Sequence, residues 1–394
     1  MTGSKGLRRS LRRFFCVLLG LSLVCILGLG PWNCQAAPQL NLPAAADRSK
    51  PDTSANAALN CFPLDRLSKD RLASPILKRG EPLDVEVKLH VDEIPLISST
   101  DDQFKLEGFL DVAWCDPRLA EDLIAGVDER VYANEGAIDY LKGIWNPQIT
   151  FINEIGETVG DDLNLTIFND GRAEIQRRFM VTLESNFDVH RFPFDRQRLV
   201  GEIASFAWDA RVVRLIDDGR NLTVSKAFGI PDWSVVGFSS KVIAYDDPDH
   251  GNDIFSMLKL EIDVARKSDY YLYKIFVPLG ILSFTSIFFL AVPISEIGDR
   301  IGFVSGLLFT TLAYQLIIAS SVPRVPYFTL GDTYTLFLFF FMVAEVFIAY
   351  GISLVDRFGG ETKVLVNRVE LGCEIVLPLL FVLVNIYFYS QAHL

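Results

Sequence analysis

Glu296 and Asp299 stand at the head of an apolar run in which Gly302, Gly306, Phe309, Ala313, Leu316 and Ser320 recur at alternating spacings of four and three. That spacing puts the six on one face of a helix. Small and polar groups on such a face suit the wall of a hydrated pore, and equally suit a helix that uses glycine to pack closely on another. In the pore reading several copies must surround an axis. Glu296 and Asp299 then become acidic rings that concentrate cations, while Phe309 and Leu316 become apolar constrictions that stop ions by dewetting.

A second group is aromatic. Phe206, Trp208, Tyr245 and Phe255 fall near expected strand ends, where they could form a cage for an ammonium group or serve as core. The stretch from Tyr245 to Asp253 contains Asp246, Asp247 and Asp249, which are either oxygen ligands for calcium or a solvated acidic loop. Catalysis has little to stand on. His90, His190, His250 and His393 are scattered, and no nucleophile elbow, phosphate loop, dinucleotide fingerprint or zinc cluster occurs.

The elements that must position these groups follow from patterning. Half of the 394 residues are hydrophobic and 22% are charged, and the mean hydropathy is +0.28, which points to a membrane part joined to a soluble part. Residues 1–37 read as a secretory signal, five basic residues before an apolar run, with an uncleaved anchor helix as the alternative. Residues 38–80 read as a flexible lead-in. From 81 to 269, short alternating runs such as Val85, Val87, Leu89 and Val91, with turns such as Asn169-Asp170-Gly171, argue an immunoglobulin-like β-sandwich. Residues 270–394 contain four apolar runs, 270–292, 301–322, 334–355 and 371–389, each about long enough to span a bilayer.

With an exported sandwich, four crossings return the C-terminus to the outside. Arg300, Arg357, Lys363 and Arg368 then lie in or beside the inner loops, against Arg324 outside. Glu345 and Glu374, within the third and fourth runs, must face protein, water or the interface. The net charge is −12; the first 37 residues carry +5 and residues 271–394 carry −2, which leaves −15 between them. So acidic a soluble part excludes nucleic acid as a partner. Cys61 and Cys115 could be bridged or could be two buried thiols.

The run Phe192-Pro193-Phe194-Asp195-Arg196-Gln197 resembles the signature loop of pentameric ligand-gated ion channels. Trp114 to Leu119, Trp145-Asn146-Pro147, Ile262 to Arg266, Val322 to Tyr327, Pro378 and Asn385 follow in that family's order, so the likeness covers roughly 83–390. Ser185 and Leu199 stand where animal members have the two loop cysteines. The resemblance is therefore to the bacterial branch, most like its amine-gated member around Phe206 and Phe255. It implies a β plus α membrane fold, a sandwich followed by a four-helix transmembrane bundle, assembled as a homopentamer in a bacterial inner membrane. It also implies a cation-selective channel opened by a small extracellular agonist or by protons, without cofactor apart from calcium modulation, with membrane lipids and monovalent cations as further partners.

Carried over by residue, the resemblance places the agonist site between subunits, with Phe206, Tyr245 and Phe255 on one side and Phe109 on the other. Coupling falls to Asp101 or Asp102, Asp195 and Arg266, acting on the Arg324-Val325-Pro326 loop so that the pore helices tilt and Phe309 withdraws. Ala204 and Thr150 occupy positions where the amine-gated member has carboxylates. Asp102 matches an acid of the proton-gated member, whose pore-helix histidine is Thr311 here. A membrane-anchored receptor without conduction shares most of these features; a membrane-anchored hydrolase lacks a nucleophile and base.

Overall fold

The computed structural model describes Leu59, Cys61 and residues 68–75, 81–123, 126–156, 160, 162–217, 219, 221–225, 230–247, 253–292, 296–322, 324–357 and 362–393. The expected signal segment, 1–37, lies outside the described residues. Two compact units emerge from the contacts. Among the described residues, one comprises those up to Phe187 and Arg196–Ala265, and the other comprises Asp188–Asp195 and those from Arg266 onward. The boundary expected at 269/270 falls at Ala265/Arg266, and Asp188–Asp195, which carries the first four residues of the signature run, groups with the helical unit, where His190, Phe192 and Asp195 have hydrogen-bond partners.

The first unit is a two-sheet β structure. One sheet holds β1 (Leu83–Ser98), β2 (Gln103–Cys115), β3 (Glu129–Ala133), β5 (Leu163–Phe168), β6 (Arg172–Glu184) and β8 (Val213–Ile216) in the order β3-β5-β6-β2-β1-β8, with β9 (Leu222–Val224) also on β1. The other runs β10 (Trp233–Asp247), β11 (Asp253–Arg266), β7 (Arg196–Ser205), β4 (Ile149–Phe151). Strand β2 shows why the sequence folds this way. Phe104, Leu106, Leu110, Val112 and Trp114 alternate inward and are buried, while Lys105, Glu107, Phe109 and Asp111 face out. Asn169-Asp170-Gly171 makes the β5–β6 turn, with Gly171 at φ 85°. A Cβ there would sit 2.6 Å from the Pro117 Cα, so glycine is required twice over.

The lead-in is not free where it is described. Cys61 is bridged to Cys115 at the end of β2. The Arg118 guanidinium, paired with Asp116, donates to the carbonyls of Ser68 (3.3 Å), Asp70 (2.6 Å) and Ala73 (3.1 Å). Arg71 adds a two-pronged pair with Asp122, at 2.8 and 2.7 Å. Flexibility expected for 38–80 therefore fails at Cys61 and 68–75, because one arginine fork and a disulfide hold the backbone down.

Among the described residues, four helices of the second unit are long and apolar enough to cross a membrane: α2 (Asp269–Phe289), α3 (Ile297–Ala319), α4 (Leu330–Arg357) and α5 (Thr362–His393); α1 (Glu135–Leu141) is a short helix of the sandwich unit. α2 loosens into a π turn over Leu272–Phe276 just before Pro278, which has no N–H to donate. The bundle core is aromatic. Tyr334 stacks on Phe388 at 4.3 Å, Phe276 and Phe284 meet Phe388 and Phe381, and the Tyr334 hydroxyl donates to Asn385 (2.9 Å). Glu345 is fully buried within the bundle rather than exposed to lipid.

Candidate functional site

Helix α3 starts one turn earlier than the apolar run suggests, so Asp299 lies in its first turn, where a carboxylate is favoured by the helix dipole, and Glu296 precedes it. Arg300, Val304, Thr311 and Ile318 form the buried face. Gly302, Gly306, Phe309, Ala313, Leu316 and Ser320 all lie exposed on the other side, Phe309 at 74% and Leu316 at 73%. A Cβ built on Gly302 or Gly306 meets nothing within 4 Å. Close helix packing within the subunit is therefore not what these glycines serve. Glu296 and Asp299 are exposed as well.

Arg300, expected among the charges of the inner loops, is instead inside the bundle. Its Nη2 donates to Glu370 of α5 at 2.7 Å and its Nε to the Val292 carbonyl at 2.5 Å. A guanidinium cannot shed its charge, so burial demands such acceptors. Nothing in the spacing of the sequence links 300 to 370.

The loop of residues 188–195, which includes the first four residues of the signature run, contains a cis Phe192–Pro193 bond and is anchored at many points. Asp195 and Arg266 form a buried two-pronged pair, Nε to Oδ1 at 2.7 Å and Nη2 to Oδ2 at 3.0 Å, and the Arg266 backbone N–H donates to the Asp195 carbonyl. The guanidinium also lies 5.2 Å from the Phe192 ring centroid. The carbonyls of His190 and Phe192 accept from the N–H groups of Leu330 and Gly331, two of the groups that a helix start leaves unpaired. Thr329 and Asp332 close the same helix start reciprocally as a capping box. His190 stacks on Tyr327 at 3.6 Å, and hydrogen bonds from its backbone N–H and ring hold the Asp188 carboxyl below the usual carboxylate range.

The loop touches Tyr327, Leu330 and Gly331, next in sequence to the expected Arg324-Val325-Pro326 target, where Arg324 and Pro326 are exposed. Asp101 and Asp102 lie in the β1–β2 turn of the other unit. There Asp101 accepts from the Ser98 hydroxyl at 2.6 Å, and Asp102, at φ 52°, gives its carbonyl to Ser185.

None of the four residues assigned to the ligand site is core. Phe206 is 72% exposed, and Phe109, Tyr245 and Phe255 are half-buried. Phe255 and Phe206 each lie two residues beyond the last registered pair of the β11–β7 ladder, Met257↔Ala204. Tyr245 is on the adjacent strand β10, and Phe109 is on β2 of the other sheet. Thr150 and Ala204 are direct cross-strand partners, so the two positions share one rung, and neither carries a carboxylate. Trp208 leaves this group. Its indole N–H donates to the Asn146 carbonyl (3.1 Å), its ring lies 5.9 Å from Trp145, and both line a cavity of about 370 Å³ with Leu72 and Ile138. That cavity could not be found from spacing, since its walls come from three separate stretches of the chain, Leu72, residues 138–148 and Trp208. Of the acidic loop, Asp246 is exposed, whereas Asp249 lies outside the described residues. Among the described residues no group of three or more metal-ligating side chains gathers.

Residues 64–268 match the neurotransmitter-gated ion-channel ligand binding domain. The chain is 24% identical over 326 residues to a proton-gated ion channel of Gloeobacter violaceus, covering 81% of this chain and 86% of that one. It is 23% identical to ligand-gated ion channel 50 of Caenorhabditis elegans, over 76% of this chain and 60% of the relative. It is 24% identical to pH-sensitive chloride channel 2 of Drosophila melanogaster, over 71% and 56%. With the matched domain spanning half the chain and four membrane-length helices following it, the protein belongs to the pentameric, neurotransmitter-gated family of ligand-gated ion channels, multi-pass membrane proteins that are not enzymes.

Proposed function

We propose that the chain forms a homopentameric, cation-selective channel in a bacterial cell membrane, opened by a small extracellular ligand or a change in pH. The observation that carries the selectivity is the split at the head of α3: Asp299 is exposed on the face shared with Gly302 and Gly306, while Arg300 beside it is buried. Five exposed carboxylates around an axis attract cations and repel anions. The relatives supply two stimuli and two signs of ion. One is described as proton-gated and another as a pH-sensitive chloride channel, so charge at the pore mouth must decide. For the ligand site, the exposure of Phe206 with Phe255 and Tyr245 nearby supports an aromatic surface completed by Phe109 of an adjacent subunit. The absence of a carboxylate at Thr150 and Ala204 favours a stimulus other than a simple primary amine.

The test is voltage clamp of cells expressing the chain, under a sodium chloride gradient, with external pH steps followed by small amines, with and without calcium. A current reversing near the sodium potential is expected, and Asp299→Ala should move that reversal toward chloride. Reversal at the chloride potential in the wild type would overturn cation selectivity. Silence of a surface-expressed protein that persists in Phe309→Ala would favour a receptor without conduction.

A further inference from the structure

Asp299 and Arg300 are consecutive, yet they leave α3 about 100° apart, one exposed and the other 1% exposed. An arginine remains charged at every accessible pH. In a ring of five, each pore-mouth carboxylate would therefore have a permanent positive charge one residue away. Left unbalanced, those charges would cancel the field of the acidic ring. The structure shows what opposes them. Glu370, from α5, meets the Arg300 Nη2 at 2.7 Å, with side-chain exposures of 15% and 2%. The Val292 carbonyl, three residues beyond the end of α2, holds the Nε and fixes the direction of the fork. Within such a poorly hydrated site an unpaired guanidinium is screened little, so its field would reach the pore mouth.

We propose that Glu370 is a positioning residue for ion selectivity: it neutralises Arg300 and holds it on the bundle side of α3, leaving the Asp299 ring to select cations. The proposal rests on the cation-channel reading above. It assigns a role in permeation to a residue of α5, a different helix from the one that carries Asp299 and the glycine face. It also predicts an ordering among variants that a purely structural ion pair does not. Removing Glu370 alone leaves an extra positive charge, removing Arg300 alone leaves an extra negative one, and removing both leaves the balance unchanged.

The experiment compares the wild type with Glu370→Gln, Arg300→Gln and the double variant, all in the full chain, by reversal potential in a sodium chloride gradient and by surface labelling. Glu370→Gln should lower the sodium-to-chloride permeability ratio at least about threefold. Arg300→Gln should not lower it, and the double variant should return to the wild-type value or above. If Glu370→Gln fails to reach the surface, Glu370→Asp, which keeps the charge on a shorter stem, should move the reversal in the same direction by less. A wild type that carries no cation current sinks the channel reading and this proposal with it. A cation-selective wild type whose Glu370 variants conduct with an unmoved reversal potential overturns the proposal alone.

Discussion

Phe309→Ala is the sharpest test of the pore, because it needs no knowledge of the stimulus. The side chain is 74% exposed in the subunit and sits on the face of Gly306 and Ala313. A phenylalanine offers about 200 Å², so roughly 150 Å² of each ring is available to line a closed axis. In a pentamer, wetting even a quarter of that wall, roughly 190 Å² in all, costs about 5 kcal/mol at 25 cal/mol per Å². Relief of such a barrier corresponds to roughly several thousandfold in the hydrated fraction of closed pores. Because Phe309 has so little of its surface packed within the subunit, truncation should cost the fold no more than about 1 kcal/mol. The expected result is a standing cation current without stimulus, at surface expression equal to the wild type. Leu316, seven residues on and about 10 Å along the helix, should give a smaller effect. An unchanged basal current in a normally expressed Phe309→Ala channel would refute the assignment of this face to the pore.

Three further outcomes follow from the geometry. Arg266→Ala leaves the Asp195 carboxylate buried without its two-pronged partner, so gating by an effective stimulus should be lost and thermal unfolding should show a deficit of about 3–5 kcal/mol; Asp195→Asn paired with Arg266→Gln should recover stability without recovering the stimulated current. Cys61→Ser opens a bridge spanning 54 positions and should destabilise the sandwich unit by about 3–4 kcal/mol, measured as a lower melting temperature that reducing agent reproduces in the wild type. The bond from Arg71 holds the Asp122 carboxyl below its ordinary value, so this clamp stabilises the fold fully above about pH 4 and loses its contribution as pH falls through the lower folded value. Asp122→Asn should therefore flatten the acid limb of a melting-temperature profile and leave the response between pH 5 and 8 unaltered.

How much of this could be read from residues alone depends on whether the relevant pattern is local. The inward alternation of β2 and the spacing of Gly302, Gly306, Phe309, Ala313, Leu316 and Ser320 are properties of one element, and both faces appear where period predicts. Which faces meet is a different matter. Arg300 reads in sequence as one more inner-loop charge and becomes a buried partner of Glu370 only when α3 and α5 pack. Trp208 reads as a cage aromatic, but the Ser205 hydroxyl and the Asn146 carbonyl turn it toward Trp145. Residues 68–75 lack periodicity and look free, because what orders them is the Arg118 fork reaching across about 45 residues.

The path of the chain itself constrains how the two units can influence each other. Among the described residues it passes between them at Phe187/Asp188, Asp195/Arg196 and Ala265/Arg266. Asp195 and Arg266 stand at two of these three crossings, directly beyond the last rung of the β7–β11 ladder, Arg196↔Ala265, and they clamp each other. We expect relative motion of those two strands to be carried into the loop between 188 and 195, because the buried Asp195–Arg266 pair would otherwise have to break. That loop in turn supplies the acceptors for the first turn of α4, through the carbonyls of His190 and Phe192. Gly331 allows the approach, since a Cβ there would press on Phe276 and Phe192 at 3.2 and 3.4 Å. A side chain at Gly331 should consequently uncouple the stimulus from the pore while leaving Phe309→Ala leak intact, which separates transmission from conduction in a single double variant. If the Gly331→Val, Phe309→Ala channel instead loses its standing current at normal surface expression, the loop is required for the open pore itself and not only for its control.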